Sequence, residues 1–202
     1  MPIWRGKHPL ILASQSHARQ SLLANAGIAF EAVPAGIDER EIQRASGLSA
    51  PGEIASLLAR QKALWVSSRQ ADRIVVGADQ TLALGKQLFS KPAGRAQAAD
   101  QLRSLAGNSH QLHSAVAVAR DGKMLLETVS VARMTMRQLS EAEIDAYLDE
   151  AGAAVTTSVG AYQLEGLGIH LFERIEGDHF TILGLPLLPL LAFLRGEGLL
   201  SV

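Results

Sequence analysis

Pro9-Leu10-Ile11-Leu12-Ala13 is a short apolar run that reads as a buried strand, and Ser14-Gln15-Ser16 directly behind it supplies a polar turn and a helix N-cap. Leu22, Leu23 and Ala26 follow at helical spacing, Gly27 stands where a glycine ends a helix, and residues 30–33 form a second strand. Strand, turn, helix, strand is the usual opening of an α/β domain. Further on, Pro51 occupies a first helical position and 54–68 continues as a helix. Residues 73–77 are a strand ending at Ala78-Asp79-Gln80, and 81–84 with 87–89 make a hairpin about Gly85-Lys86. A helix covers 94–105 and stops near Gly107; a longer hairpin joins 111–119 to 125–136 through Asp121-Gly122, a strong turn pair. Ser140-Glu141-Ala142-Glu143 is a capping box that opens a helix through Leu148. Residues 151–160 are small and flexible, 169–175 a strand, 176–178 a turn, and 187–194 the last helix, ended by Gly196. Helices and hairpins interleave, so the class is α/β with a mixed rather than fully parallel sheet.

The 202 residues suit one large domain, or two lobes sharing a cleft. With 48% hydrophobic and 19% charged residues the chain can bury a core, and with 4% aromatics that core must be aliphatic. A net charge of −1 lacks the basic excess of a nucleic-acid binder, so any phosphate must be held by a few placed cations. The apolar stretch 182–194 is too short to span a bilayer and contains Pro186 and Pro189, so no membrane role is expected. Residues 1–12 carry no signal-peptide cleavage pattern. Cysteine is absent, which excludes disulfides, thiolate metal sites and cysteine nucleophiles and fits a cytoplasmic protein.

Four groups of residues can carry chemistry. Ser14, Ser16 and Arg19 lie where a strand turns into a helix, whose free N–H groups favour an anion; the same residues could equally be a capped helix with a surface arginine. Asp79 follows the apolar strand, where α/β enzymes place catalytic groups; it could hold a metal, deprotonate a water, or cap the next turn. Lys91, directed by Pro92, and Lys62, inside an amphipathic helix, are either phosphate ligands or solvated lysines. Asp38-Glu39 could bind Mg²⁺ or form a loop, and Glu165 lies in Gly160-Ala161-Tyr162-Gln163-Leu164-Glu165-Gly166, where glycines allow close backbone approach. His110 and His113, three apart in a strand, point to opposite faces and read as structural. No P-loop, Rossmann fingerprint, HExxH or nucleophile elbow is present.

In order and spacing the chain resembles the Maf family of nucleotide pyrophosphatases. The resembling stretches are Leu-Ile-Leu-Ala-Ser-Gln-Ser at 10–16, Ile-Asp-Glu at 37–39, Gly-Ala-Asp-Gln-Thr at 77–81 and Lys91-Pro92. Gly-Ala-Tyr at 160–162, Ile-Glu-Gly-Asp at 175–178 and Gly-Leu-Pro-Leu at 184–187 complete the set. The resemblance implies a single domain over 1–202 with two lobes around a central cleft, an elongated mixed β-sheet flanked by helices of the Maf/ITPase-like kind. It implies a nucleoside triphosphate substrate cut between the α- and β-phosphates into the monophosphate and pyrophosphate, a divalent cation (Mg²⁺ or Mn²⁺), and a possible homodimer. Asp79 would be the catalytic base and, with Glu39, a metal ligand; Ser14, Ser16, Arg19, Lys62, Lys91 and Glu165 would bind substrate.

Two departures sharpen this. The family commonly has Pro-Arg-Arg after the second serine, where this chain has His17-Ala18-Arg19. Members acting on thymidine and uridine triphosphates usually carry Gln at the position of Glu165; with Gly166-Leu167-Gly168-Ile169 and Leu171-Phe172-Glu173-Arg174, the pattern is closer to the branch acting on 7-methylguanosine triphosphate. A carboxylate accepts hydrogen bonds from the N1–H and 2-amino group of guanine, whereas an amide suits a uracil edge. Pyrimidine triphosphates stay open as substrates. The competing expectation is a nucleotide-binding, non-catalytic regulator of septum formation and cell division.

Overall fold

The computed structural model describes residues 3–202. Met1 and Pro2, part of the stretch read as lacking a signal peptide, lie outside the described residues. The strands are β1 (Leu10–Leu12), β2 (Phe30–Ala32), β3 (Val75–Leu84), β4 (Gln87–Phe89), β5 (Ser109–Arg120), β6 (Lys123–Met136) and β7 (Phe172–Glu176). The helices are α1 (His17–Asn25), α2 (Glu39–Ser46), α3 (Pro51–Ser67), α4 (Arg95–Leu105), α5 (Glu141–Ala151), α6 (His179–Ile182) and α7 (Leu187–Gly196). The described strands form one mixed sheet in the order β2-β1-β3-β5-β6-β7, with β4 pairing β3. β1 is parallel to β2 and to β3, while β3–β4 and β6–β7 are antiparallel. The expected α/β class and mixed sheet are therefore present, and no described helix is long and apolar enough to cross a membrane.

The chain divides into two compact units. The first takes the chain up to Gln80, Ser114–Ser130 and His179–Val202. One layer of its core joins Leu10 and Leu12 of β1, Val76 and Ala78 of β3, and Val116 and Val118 of β5 to Leu22 and Leu23 of α1 and Leu187, Leu190 and Leu194 of α7. On the other face the alternate residues of β5, Ala115, Ala117 and Ala119, meet Ala55, Ala59 and Ala63 of α3. This alanine seam lets α3 lie close on the sheet, since small side chains hold backbones apart least. Closest is Gly77 of β3, where a Cβ would fall 2.2 Å from the carbonyl oxygen of Ala59 and 2.7 Å from the amide nitrogen of Ala63.

The second unit takes Thr81–His113 and Val131–Asp178. It buries Leu102 and Leu105 of α4, Leu112 of β5, Met134 and Met136 of β6 and Ile144 and Leu148 of α5. The expected capping box of α5 is complete: Ser140 Oγ accepts from the Glu143 N–H, and the Glu143 carboxylate accepts from the Ser140 N–H at 2.8 Å.

Some local expectations are overturned. Asp79 does not follow the end of a strand; β3 runs unbroken from Val75 to Leu84 and carries it in mid-strand. Gly77, Ala78 and Gln80 interrupt the apolar pattern without interrupting the ladder. The loop reading of Asp38-Glu39 fails because these residues start α2, with Asp38 Oδ1 accepting from the Glu41 N–H at 3.0 Å. That helix has no buried residue, so it leaves no apolar periodicity to read. Residues 169–175 are not one strand: a 3₁₀ turn (Leu167–Leu171) precedes β7. Further 3₁₀ turns, Gly152–Thr156 and Val159–Ala161, fall in and just past the stretch 151–160, and α6 lies between the expected turn at 176–178 and the last helix, where no element is expected.

Candidate active site

Ser14, Ser16, Arg19, Glu39, Lys62 and Asp79 all lie in the first unit. In β3, Val75, Gly77 and Asp79 share one face, by the two-residue period of a strand. Because Gly77 lets α3 sit directly on that face, Lys62 of α3 reaches Asp79. Its Nζ donates to Asp79 Oδ1 at 2.7 Å and pairs with Glu39 Oε1 of α2 at 2.9 Å. Asp79 is 7% exposed and Lys62 8%, so this is a nearly buried ion pair with a half-exposed second carboxylate.

Arg19 comes to the same strand from the other side. Its Nη1 donates to the Ala78 carbonyl at 2.9 Å and to Ser14 Oγ at 3.1 Å, and its Nε donates to the Gly184 carbonyl at 2.7 Å. Arg19 is not the surface arginine of the plainer reading. Ser14 is buried at the end of β1 and its Oγ also accepts from the Ser16 N–H at 3.2 Å. Ser16 is the N-cap of α1, accepting from the Arg19 N–H at 3.5 Å. Sequence-distant partners complete the frame: Gln80 Nε2 donates to Ser114 Oγ at 2.9 Å and to the Thr181 and Ile182 carbonyls at 3.1 and 3.0 Å. Gln80 and Gly77 flank Asp79 within Gly-Ala-Asp-Gln-Thr, and that motif was the one sequence signal pointing to them.

Burial is the largest influence on Asp79 and pushes its carboxyl above the ordinary value of 3.8; the charges of Lys62 and Arg19 pull it back. Burial likewise lowers Arg19 from its ordinary value, against the attraction of Asp79 and Glu39. A carboxylate poised this way can take a proton from water, and the cations beside it can offset phosphate charge.

Lys91 and Glu165 belong to the second unit, where Lys91 is exposed beside buried Pro92 and Glu165 is exposed in a turn. That turn is organised by Gln163, whose carbonyl accepts from the Gly166 and Gly168 N–H groups at 3.2 and 3.1 Å. His110 and His113 face opposite ways, as their spacing requires. His110 is fully buried against Tyr162 and Phe172, with Nε2 2.7 Å from the Tyr162 hydroxyl; His113 is half-buried. Among the described residues no group of three or more His, Cys, Asp or Glu side chains is placed to cage a metal.

A family model described as Maf-like protein matches residues 9–197. A protein of Bradyrhizobium diazoefficiens named nucleoside triphosphate pyrophosphatase is 73% identical over the whole of both chains. One of Rhodopseudomonas palustris with the same name is 67% identical, again over both whole chains. A Rhizobium meliloti protein named 7-methyl-GTP pyrophosphatase is 52% identical over 94% of this chain and 96% of its own. A match that takes in both ends of the buried Lys62–Asp79 pair, and likeness from end to end, lead to one conclusion: the chain belongs to the Maf family.

Proposed function

We propose that this protein hydrolyses a nucleoside triphosphate to the monophosphate and pyrophosphate, with Asp79 as the base. The observation that carries the reading is the nearly buried Asp79 held by Lys62, its proton affinity raised by burial. Water attacks the α-phosphorus, its proton passes to an Asp79 carboxylate oxygen, and the bond from the α-phosphorus to the bridging oxygen breaks as pyrophosphate leaves. Asp79 orients the water as well as accepting its proton. Of the five Arg19 N–H donors, three meet Ser14, Ala78 and Gly184; the two on Nη2 are the part that a phosphate would take. Lys62 supplies a point charge with three donors.

A divalent cation, Mg²⁺ or Mn²⁺, fits the donors present. Such ions in nucleotide enzymes use one or two carboxylates together with phosphate oxygens, and Glu39 and Asp79 already converge on a cation, the Lys62 ammonium. These two residues would hold it. When bound it would screen phosphate charge and lower the pKa of a coordinated water.

Guanine-type triphosphates are the favoured substrates in this reading, supported by the 52% identical relative named 7-methyl-GTP pyrophosphatase. Incubation with a panel of triphosphates in ¹⁸O-labelled water tests the reaction. Pyrophosphate release with the label in the monophosphate is expected. Diphosphate with inorganic phosphate, or label in pyrophosphate, would refute it.

A further inference from the structure

Glu39 and Asp79 both point at one atom, the Lys62 ammonium nitrogen, at 2.9 and 2.7 Å. Arg19 adds a second cation, bound to the carbonyl of Ala78, the residue before Asp79. The cluster thus holds two carboxylates and two cations and has no net charge. A free divalent ion entering it would stand a hydrogen-bond length from an ammonium and bring two uncompensated positive charges to a place largely shielded from water. Repulsion between charges so close exceeds thermal energy several-fold at the effective dielectric of a protein. A metal–triphosphate complex meets no such penalty. The triphosphate carries about four negative charges, so the complex arrives net negative and gives the ammonium phosphate oxygens to bind.

We propose that Lys62 is a stand-in cation that closes the Glu39–Asp79 pair to free divalent metal, so that the metal enters only together with the triphosphate. This rests on the pyrophosphatase reading above. Lys62 is here a positioning residue: it keeps two like charges converged while no metal is present, and releases them when phosphate draws its ammonium away. A lysine suits this exchange, being a compact charge on a flexible stem. Its backbone need not move, because α3 is seated on β3 at Gly77.

Mn²⁺ binding to the full-length protein, followed by electron paramagnetic resonance, tests the proposal without any turnover. Wild-type protein is expected to take up little Mn²⁺ alone and to bind it stoichiometrically once α,β-methylene guanosine triphosphate is added. Lys62→Met and Lys62→Gln are expected to bind Mn²⁺ alone about tenfold more tightly or better, while Lys62→Arg, which keeps the charge, restores the exclusion. Wild-type protein that binds Mn²⁺ alone as tightly as with the analogue would overturn the proposal, whatever the variants do. So would folded Met and Gln variants with wild-type affinity for Mn²⁺ alone; either result leaves the pyrophosphatase reading standing if pyrophosphate is released. Absence of Mn²⁺ binding even with the analogue would sink both.

Discussion

At the scale of single residues, Asp79 is the proposed base, and its protonation is open to measurement. Burial raises its pKa above 3.8, with Lys62 and then Arg19 opposing. A raised acid favours the neutral form in the fold, so the stability it contributes is present below 3.8 and is lost as pH rises through the folded value. The base form that the proposed reaction requires appears over that same rise. The acidic limb of kcat/KM is therefore expected above 3.8, and Lys62→Met should move the carboxyl resonance of Asp79 in ¹³C NMR to titrate higher still; a midpoint at or below 3.8 would contradict this. His110 behaves oppositely. Burial lowers it from 6.5 to about 4, so the fold keeps it neutral, and stability falls as pH drops from 6.5 toward 4. The loss is roughly 3 kcal/mol, at 1.36 kcal/mol per pKa unit, and it should flatten in His110→Gln; a urea midpoint independent of pH over that range would count against it. The opposite faces of His110 and His113 were legible from a spacing of three. The partners of Arg19 were not, because the Gly184 carbonyl is 165 positions away.

At the scale of elements, the Lys62–Asp79 pair forms because α3 lies close on β3 at Gly77. Gly77→Ala would set a methyl 2.2 Å from the Ala59 carbonyl oxygen. The helix must then move off the sheet, at a cost of about 1–3 kcal/mol, and Lys62 is drawn away from Asp79. Loss of both thermal stability and pyrophosphate release is expected; wild-type values for both would show that the contact is slack. The elements themselves were unevenly legible. α5 announced itself through Ser140 and Glu143, whose side chains make the cap they spell. α2 did not, since every one of its residues stays partly or fully in solvent and Asp38-Glu39 reads as a metal site or a loop. β3 was read as two pieces because Gly77-Ala78-Asp79-Gln80 looks like a break. In the structure that break is the centre of the candidate site: a glycine beneath the helix, a nearly buried acid and an amide that ties the frame.

At the scale of the whole molecule, the first unit is assembled from three separated stretches, and polar side chains as well as leucines bind them together. Ser114 Oγ donates to the Thr181 carbonyl at 2.6 Å while accepting from Gln80. Ser114→Ala removes one donor from the Thr181 carbonyl, which keeps the Gln80 amide and the Gly184 N–H, at a cost of about 0.5–1.5 kcal/mol. Faster amide hydrogen exchange across 179–185 is expected; unchanged exchange would mean the bond holds nothing in place. The α/β class was legible from strand–turn–helix order alone. That Ser14, Arg19, Glu39, Lys62 and Asp79 share one neighbourhood was not, because their meeting depends on the crossing of α3 over the sheet and on side-chain reach. The most direct measurement is pyrophosphate release by Asp79→Asn from the best triphosphate of the panel, with its fold checked by circular dichroism. Turnover lower by about 10²–10⁴-fold in a folded protein is expected; wild-type turnover in that variant would contradict the assignment of Asp79 as the base.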